Sequence, residues 1–176
     1  MRFHQLTLAL AAAGLSASLS GEAQTPPAAN PLDTVPDTIP FDIPYGAPIS
    51  LDRAASAIAA AVAEAKKHDW KLNVAVVDSG ANLIAFQRMD GAQLASIAVS
   101  QHKARAAASF RRETRVMEDG VQLKQNYYIL TLDGAIASRG GIPLVEKGKL
   151  IGAIGCSGAT GSQDEVACKA GAATVK

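Results

Sequence analysis

The apolar and polar positions divide this chain near residue 50. Before it, Pro26, Pro27, Pro31, Pro36, Pro40, Pro44 and Pro48 recur too often for a helix and favour extended chain. After it the pattern becomes periodic. Ser50 opens a helix as N-cap, with Asp52 in its first turn and Ala54, Ile58, Ala61, Val62 and Ala65 as a buried stripe running to about Lys67. Leu72 to Asp78 is almost wholly apolar and reads as a central strand. Ser79-Gly80-Ala81-Asn82 turns the chain into a second strand, Leu83 to Arg88. Met89-Asp90-Gly91 breaks that strand. A long helix is expected from Ala92 to about Phe110, with Leu94, Ile97, Gln101, Ala104 and Ala108 on one face. Glu113 to Lys124 predicts a short helix, and β-prone Tyr127 to Leu132 a third strand ending at the Asp133-Gly134 turn. Two apolar runs around Glu146-Lys147-Gly148-Lys149 predict a hairpin supplying strands four and five. A last helix starts at Ser162 or Asp164 and reaches Val175. The order α, β, β, α, α, β, β, β, α with hairpin-linked strands is an α+β layered fold on a five-stranded antiparallel sheet.

The hairpin has a further implication. Antiparallel pairing brings Arg139-Gly140-Gly141 beside Ser157-Gly158 at the end away from the turn. Glycines there permit close approach of a ligand, or only of another element. Gly140, Gly141, Ser157 and Gly158 are therefore the candidate rim of a binding pocket.

The amino-terminus changes the expected location. Arg2 precedes the apolar, small-residue run Leu6 to Leu19, and Gly21-Glu22-Ala23 suits signal peptidase. Residues 1–23 read as a signal peptide, 24–48 as a proline-rich arm and 49–176 as the domain. The second half of the arm carries Ile39, Phe41, Ile43 and Tyr45 and is expected to lie on the domain or on another subunit. The apolar run is too short for a stable span, so the mature protein is expected in the periplasm and not in the membrane. Export permits a disulfide between Cys156 and Cys168, and bridged and free cysteines both remain open at this point. A net charge of +1 and 5% aromatic residues give no platform for nucleic acid.

Motifs for dedicated chemistry are missing. There is no HExxH, CxxC, P-loop, Gly-x-Ser-x-Gly elbow or dinucleotide fingerprint. His102 lies one position off the apolar stripe of the long helix. It is either an ordinary surface residue or the single axial ligand that a haem iron requires. Lys103, Arg105, Arg111, Arg112 and Arg115 crowd the end of that helix. They are either a solvated face that compensates the helix dipole or receivers of a ligand carboxylate. Asp164 is placed to cap the last helix, or to serve with Arg139 as acid, base or anchor for a small organic acid.

Val77-Asp78-Ser79-Gly80, Arg88-Met89-Asp90-Gly91-Ala92, Lys103-Ala104, Gly140-Gly141-Ile142-Pro143-Leu144, the run Gly148 to Gly158 and Gln163-Asp164-Glu165 together resemble the GlcG/HbpS family, which is similar to the C-terminal domain of PduO-type proteins. The resemblance covers Pro48 to Lys176. It implies a profilin-like α-β-α fold, homo-oligomers up to an octamer, and haem or another small molecule as ligand. An isomerase, tautomerase or lyase acting on a small organic acid is the enzymatic alternative. The family's frequent acidic residue before Gly-Gly is replaced here by Ser138-Arg139.

Overall fold

The computed structural model describes residues 35–175. The expected signal peptide and the first part of the arm lie outside them. The elements are α1 (Leu51–Lys67), β1 (Asn73–Asp78), β2 (Leu83–Arg88), α2 (Ala95–Ser109), α3 (Thr114–Gln122), a 3-10 helix (Tyr127–Thr131), β3 (Gly141–Glu146), β4 (Lys149–Ser157) and α4 (Gly161–Ala172). The sheet is antiparallel, in the order β2-β1-β4-β3. Its central strands β1 and β4 are buried almost throughout, as the apolar run of β1 requires.

Helices cover both faces. On one, α1 and α4 pack on Val74, Val76, Ile142, Leu144 and Ile154. On the other, α2 sets Ala104, Ala107 and Ala108 against Ala75, Val77 and Ala153. The hairpin turns tightly at Lys147-Gly148, both with positive φ, and pairs Glu146 with Lys149. At its far end Gly141 stands opposite Gly155, and the Cys156 N–H donates to the Gly140 carbonyl at 2.9 Å. The glycine-rich ends therefore meet where the sequence places them.

Three expectations are corrected. Tyr127 to Leu132 is not a strand, so the sheet has four strands rather than five. In this segment only Ile129 is buried, held over Gly120 of α3, while Tyr127, Tyr128, Leu130 and Leu132 are exposed. One anchored side chain favours a 3-10 turn over a pleated ribbon with alternating burial. The second correction concerns α2, whose buried side is Ser96, Ser100, Lys103, Ala104 and Ala107, while Leu94 is 70% exposed. Small residues win that face because the α2 backbone rests directly on strand glycines. A Cβ at Gly155 would lie 2.1 Å from the Ser100 carbonyl oxygen, and one at Gly141 2.3 Å from that of Lys103. The third is the start of α4. Thr160 is its N-cap, paired with Gln163 in a capping box, and Asp164 lies inside the first turn.

The second half of the arm lies on the domain. Beyond the end of β1, Gly46 N–H donates to the Leu150 carbonyl (2.7 Å) and Leu150 N–H to the Pro44 carbonyl (2.8 Å). Tyr45 Oη donates to the Ser109 carbonyl at 2.9 Å.

Candidate functional site

Lys103 leaves α2 on one side of the sheet and Asp164 leaves α4 on the other. They meet past the end of β3, Nζ to Oδ2 at 2.8 Å, with Lys103 1% and Asp164 2% exposed. The Ala159 N–H donates to the other carboxylate oxygen at 3.1 Å. Gly140 makes this crossing possible. Its φ of +115° is a backbone state that side chains disfavour, and a Cβ there would approach Lys103 Nζ to 3.2 Å and Asp164 Cβ to 2.9 Å. Burial pushes the Asp164 carboxyl above its ordinary range, opposed by the Lys103 ammonium and the Ala159 and Gly158 amides. Asp164 thus holds two layers together instead of capping a helix. The sequence marks Lys103 only as one basic residue among several. Its partner is distant in the chain, and the burial comes from glycines on other elements.

Gly140, Gly141, Ser157 and Gly158, the expected rim, lie at this sheet end, where Lys103 and Asp164 pack against Gly140. The same sheet end carries further buried polar groups. Ser157 Oγ donates to Ser96 Oγ (3.1 Å) and Gln93 Nε2 to Ser96 Oγ (2.8 Å). Asn73, opposite Ser157 in the register, is fully buried and gives its amide to the Gln93 carbonyl at 3.2 Å, while its Oδ1 has no hydrogen-bond partner among the described residues.

Arg139 faces a separate, largely buried network around Glu118 and Glu165. Its Nε and backbone N–H each donate to Glu118 at 2.6 Å. Its terminal nitrogens lie 3.3 Å from Asp119 and 3.7 Å from Glu165. Glu165 also accepts from Lys169 at 2.6 Å and lies 3.5 Å from Arg115. Burial opposes its ionisation but is outweighed by the Lys169 hydrogen bond and the charges of Lys169, Arg115 and Arg139, so its carboxyl sits below the ordinary glutamate range. Arg139 and Asp164, the two groups considered for acid–base work, are both engaged with opposite charges inside the chain.

His102 is not part of either cluster. It is half-buried on α2, and its Nε2 lies 3.3 Å from the Gly134 carbonyl oxygen in the loop after the 3-10 helix. Among the described residues no group of three or more His, Cys, Asp or Glu can hold a bare metal ion, and no helix is long and apolar enough to cross a membrane. Cys156 of β4 and Cys168 of α4 are bridged, with Cα atoms 5.6 Å apart, within the normal range for a disulfide.

Known proteins resemble this chain in sequence and fold. Escherichia coli protein GlcG is 40% identical over 94 residues, 53% of this chain and 69% of GlcG. The crystal structure of a double mutant of Streptomyces reticuli HbpS matches with a TM-score of 0.69 at 30% identity, over 85% of this chain and 99% of that one. The crystal structure of a PduOC–haem complex matches with a TM-score of 0.66 at 25% identity, over 73% and 96%. The model of the family described as "Haem degrading protein HbpS-like" matches residues 49–173. With the layered fold and the motifs already described, that match places the chain in the HbpS-like family, to which GlcG is also similar.

Proposed function

We propose that this protein is an exported, homo-oligomeric binding protein for haem or a related small ligand, with 1–23 as signal peptide, 24–48 as arm and 49–176 as binding domain. The observation that carries the haem reading is the likeness to PduOC, crystallised with haem, in a chain that presents a suitable imidazole. Haem iron needs one axial side chain, not a cluster. His102 fits that need. Nε2–H donation to the Gly134 carbonyl fixes the tautomer and leaves the Nδ1 lone pair for a metal, the arrangement typical of ligating histidines. Arg105, exposed one turn further along α2, is suited to a propionate. Bound haem would supply a redox-active iron, while the chain's part is to hold and orient it.

The Cys156–Cys168 bridge supports export, because disulfides persist in oxidising compartments such as the periplasm. The family resemblance supports a homo-oligomer, up to an octamer. Titration of the purified protein with hemin tests the reading. A saturating Soret shift at micromolar hemin, lost in His102→Ala, is expected; no shift in the wild-type protein overturns it. Amino-terminal sequencing of protein recovered from the periplasm is expected to begin at Gln24, and retention of residues 1–23 would refute cleavage.

A further inference from the structure

Apart from the ion pair and His102, a cavity of about 350 Å³ lies among the arm, the end of α2, α3 and the 3-10 segment. Its size is at the lower end of the range that small-molecule sites occupy. Three aromatic rings line it, those of Phe41, Phe110 and Tyr128, with Met117 beside them. Its charged groups are Arg112 and Lys124, and among the described residues no acidic one faces it.

Arg112 is held in one pose. Its Nε–H donates to the Phe110 carbonyl at 3.0 Å, and its guanidinium carbon lies 3.4 Å from the centre of the Phe41 ring. Neither Arg112 nor Lys124 forms an ion pair with a described residue, although Arg111, Arg115 and Lys169 nearby all do. Desolvation lowers the Arg112 pKa, opposed by Tyr128 and reinforced by Arg111. A partly desolvated guanidinium that forms no ion pair with a described residue is a state that an incoming anion improves. A planar carboxylate matches the free fork of the guanidinium, and an aromatic body matches the three rings.

We propose that this cavity binds a small aromatic carboxylate, with its ring among Phe41, Phe110 and Tyr128, its carboxylate on the Arg112 fork and Lys124 as the second charge. The site is distinct from His102 and stands whether or not haem binds.

Calorimetric titration of the intact protein with benzoate and phenylacetate, beside phenylacetamide, tests the proposal. Saturable binding of a carboxylate, roughly tenfold or more tighter than the amide, is expected from a charge-assisted fork. Arg112→Lys keeps the charge and loses the fork, and should weaken binding roughly tenfold. Lys124→Gln, at an exposed position, should weaken it by roughly threefold and serves if the Arg112 variant fails to fold. No saturable binding of either carboxylate, equal affinity for the amide, or Lys124→Gln and Arg112→Lys binding like wild type would each overturn the proposal. So would a cavity that proves to be a subunit contact, seen as no carboxylate binding together with a smaller assembly for Tyr128→Ser in sedimentation.

Discussion

On the α1/α4 side the sheet offers Val74, Val76, Ile142, Leu144 and Ile154, and two helices fill in around them, α4 tied to β4 by a disulfide. On the α2 side it offers Ala75, Ala153, Gly141 and Gly155, and one helix of alanines and serines rests almost on the strand backbone. The first face gains stability from side-chain volume, and moderate changes of volume there are absorbed at moderate cost. The second gains it from close approach and tolerates almost no added atoms. It also brings in polar groups, because a helix that near the sheet can send Lys103 past its end to Asp164. Lys103, Ser96 and Ser100 are buried on the tightly fitted face for that reason.

Removing one partner of the buried pair should break this contrast most severely. Lys103→Ala leaves Asp164 buried and unpaired, and a loss of about 3–5 kcal/mol in chemical denaturation is expected. The double variant Lys103→Met with Asp164→Leu should recover most of it; a double variant as unstable as the single one would refute the account of an uncompensated charge.

The next effect compares the faces directly. Gly155→Val should cost about 3 kcal/mol by forcing α2 off the sheet, whereas Ile154→Val, one position along and facing α1 and α4, should cost about 1 kcal/mol. Similar losses for the two would mean that α2 yields easily and that the faces do not differ.

The smallest effect concerns pH. Glu165 has a folded-state pKa below its unfolded value, so its contribution is present above the ordinary glutamate range and lost as pH falls through the folded value. Glu165→Gln should therefore flatten the acid limb of the stability profile. Asp164, shifted upward, acts with the opposite sign, its contribution falling as pH rises from the ordinary aspartate range to the folded value. An unchanged acid limb in Glu165→Gln would remove the Arg139–Glu165 network from the explanation of acid sensitivity.

The aliphatic face was legible from the sequence. The stripe Ala54, Ile58, Ala61, Val62 and Ala65 of α1 and the run of β1 carry periodic hydrophobicity, and Lys147-Gly148 marks the hairpin and with it the meeting of Gly140-Gly141 with Ser157-Gly158. The close-packed face was not. Ala104 and Ala108 of the expected face are buried. Leu94 and Ile97, however, give a stronger apolar signal than Ser96 and Ser100, yet the serines face inward, because glycines some fifty positions later set the distance. For the same reason Lys103 is buried among residues that read as a solvated basic cluster. The strand expected at Tyr127 failed because β-propensity describes side chains suited to a half-buried pleat, and Ile129 alone finds such a surface.

The bridge from Cys156 to Cys168 spans a sequence separation of 12, and Asp164 lies within the ring it closes. Such a short ring closes rapidly and with little entropy cost. If the chain is exported unfolded, as proposed above, oxidation could thus arrange the β4–α4 corner before the distant α2 docks. In that order of events Lys103 would meet a carboxylate already in position. A chain synthesised and kept in reducing surroundings has no such order of events, and its last helix must find the sheet and the lysine together.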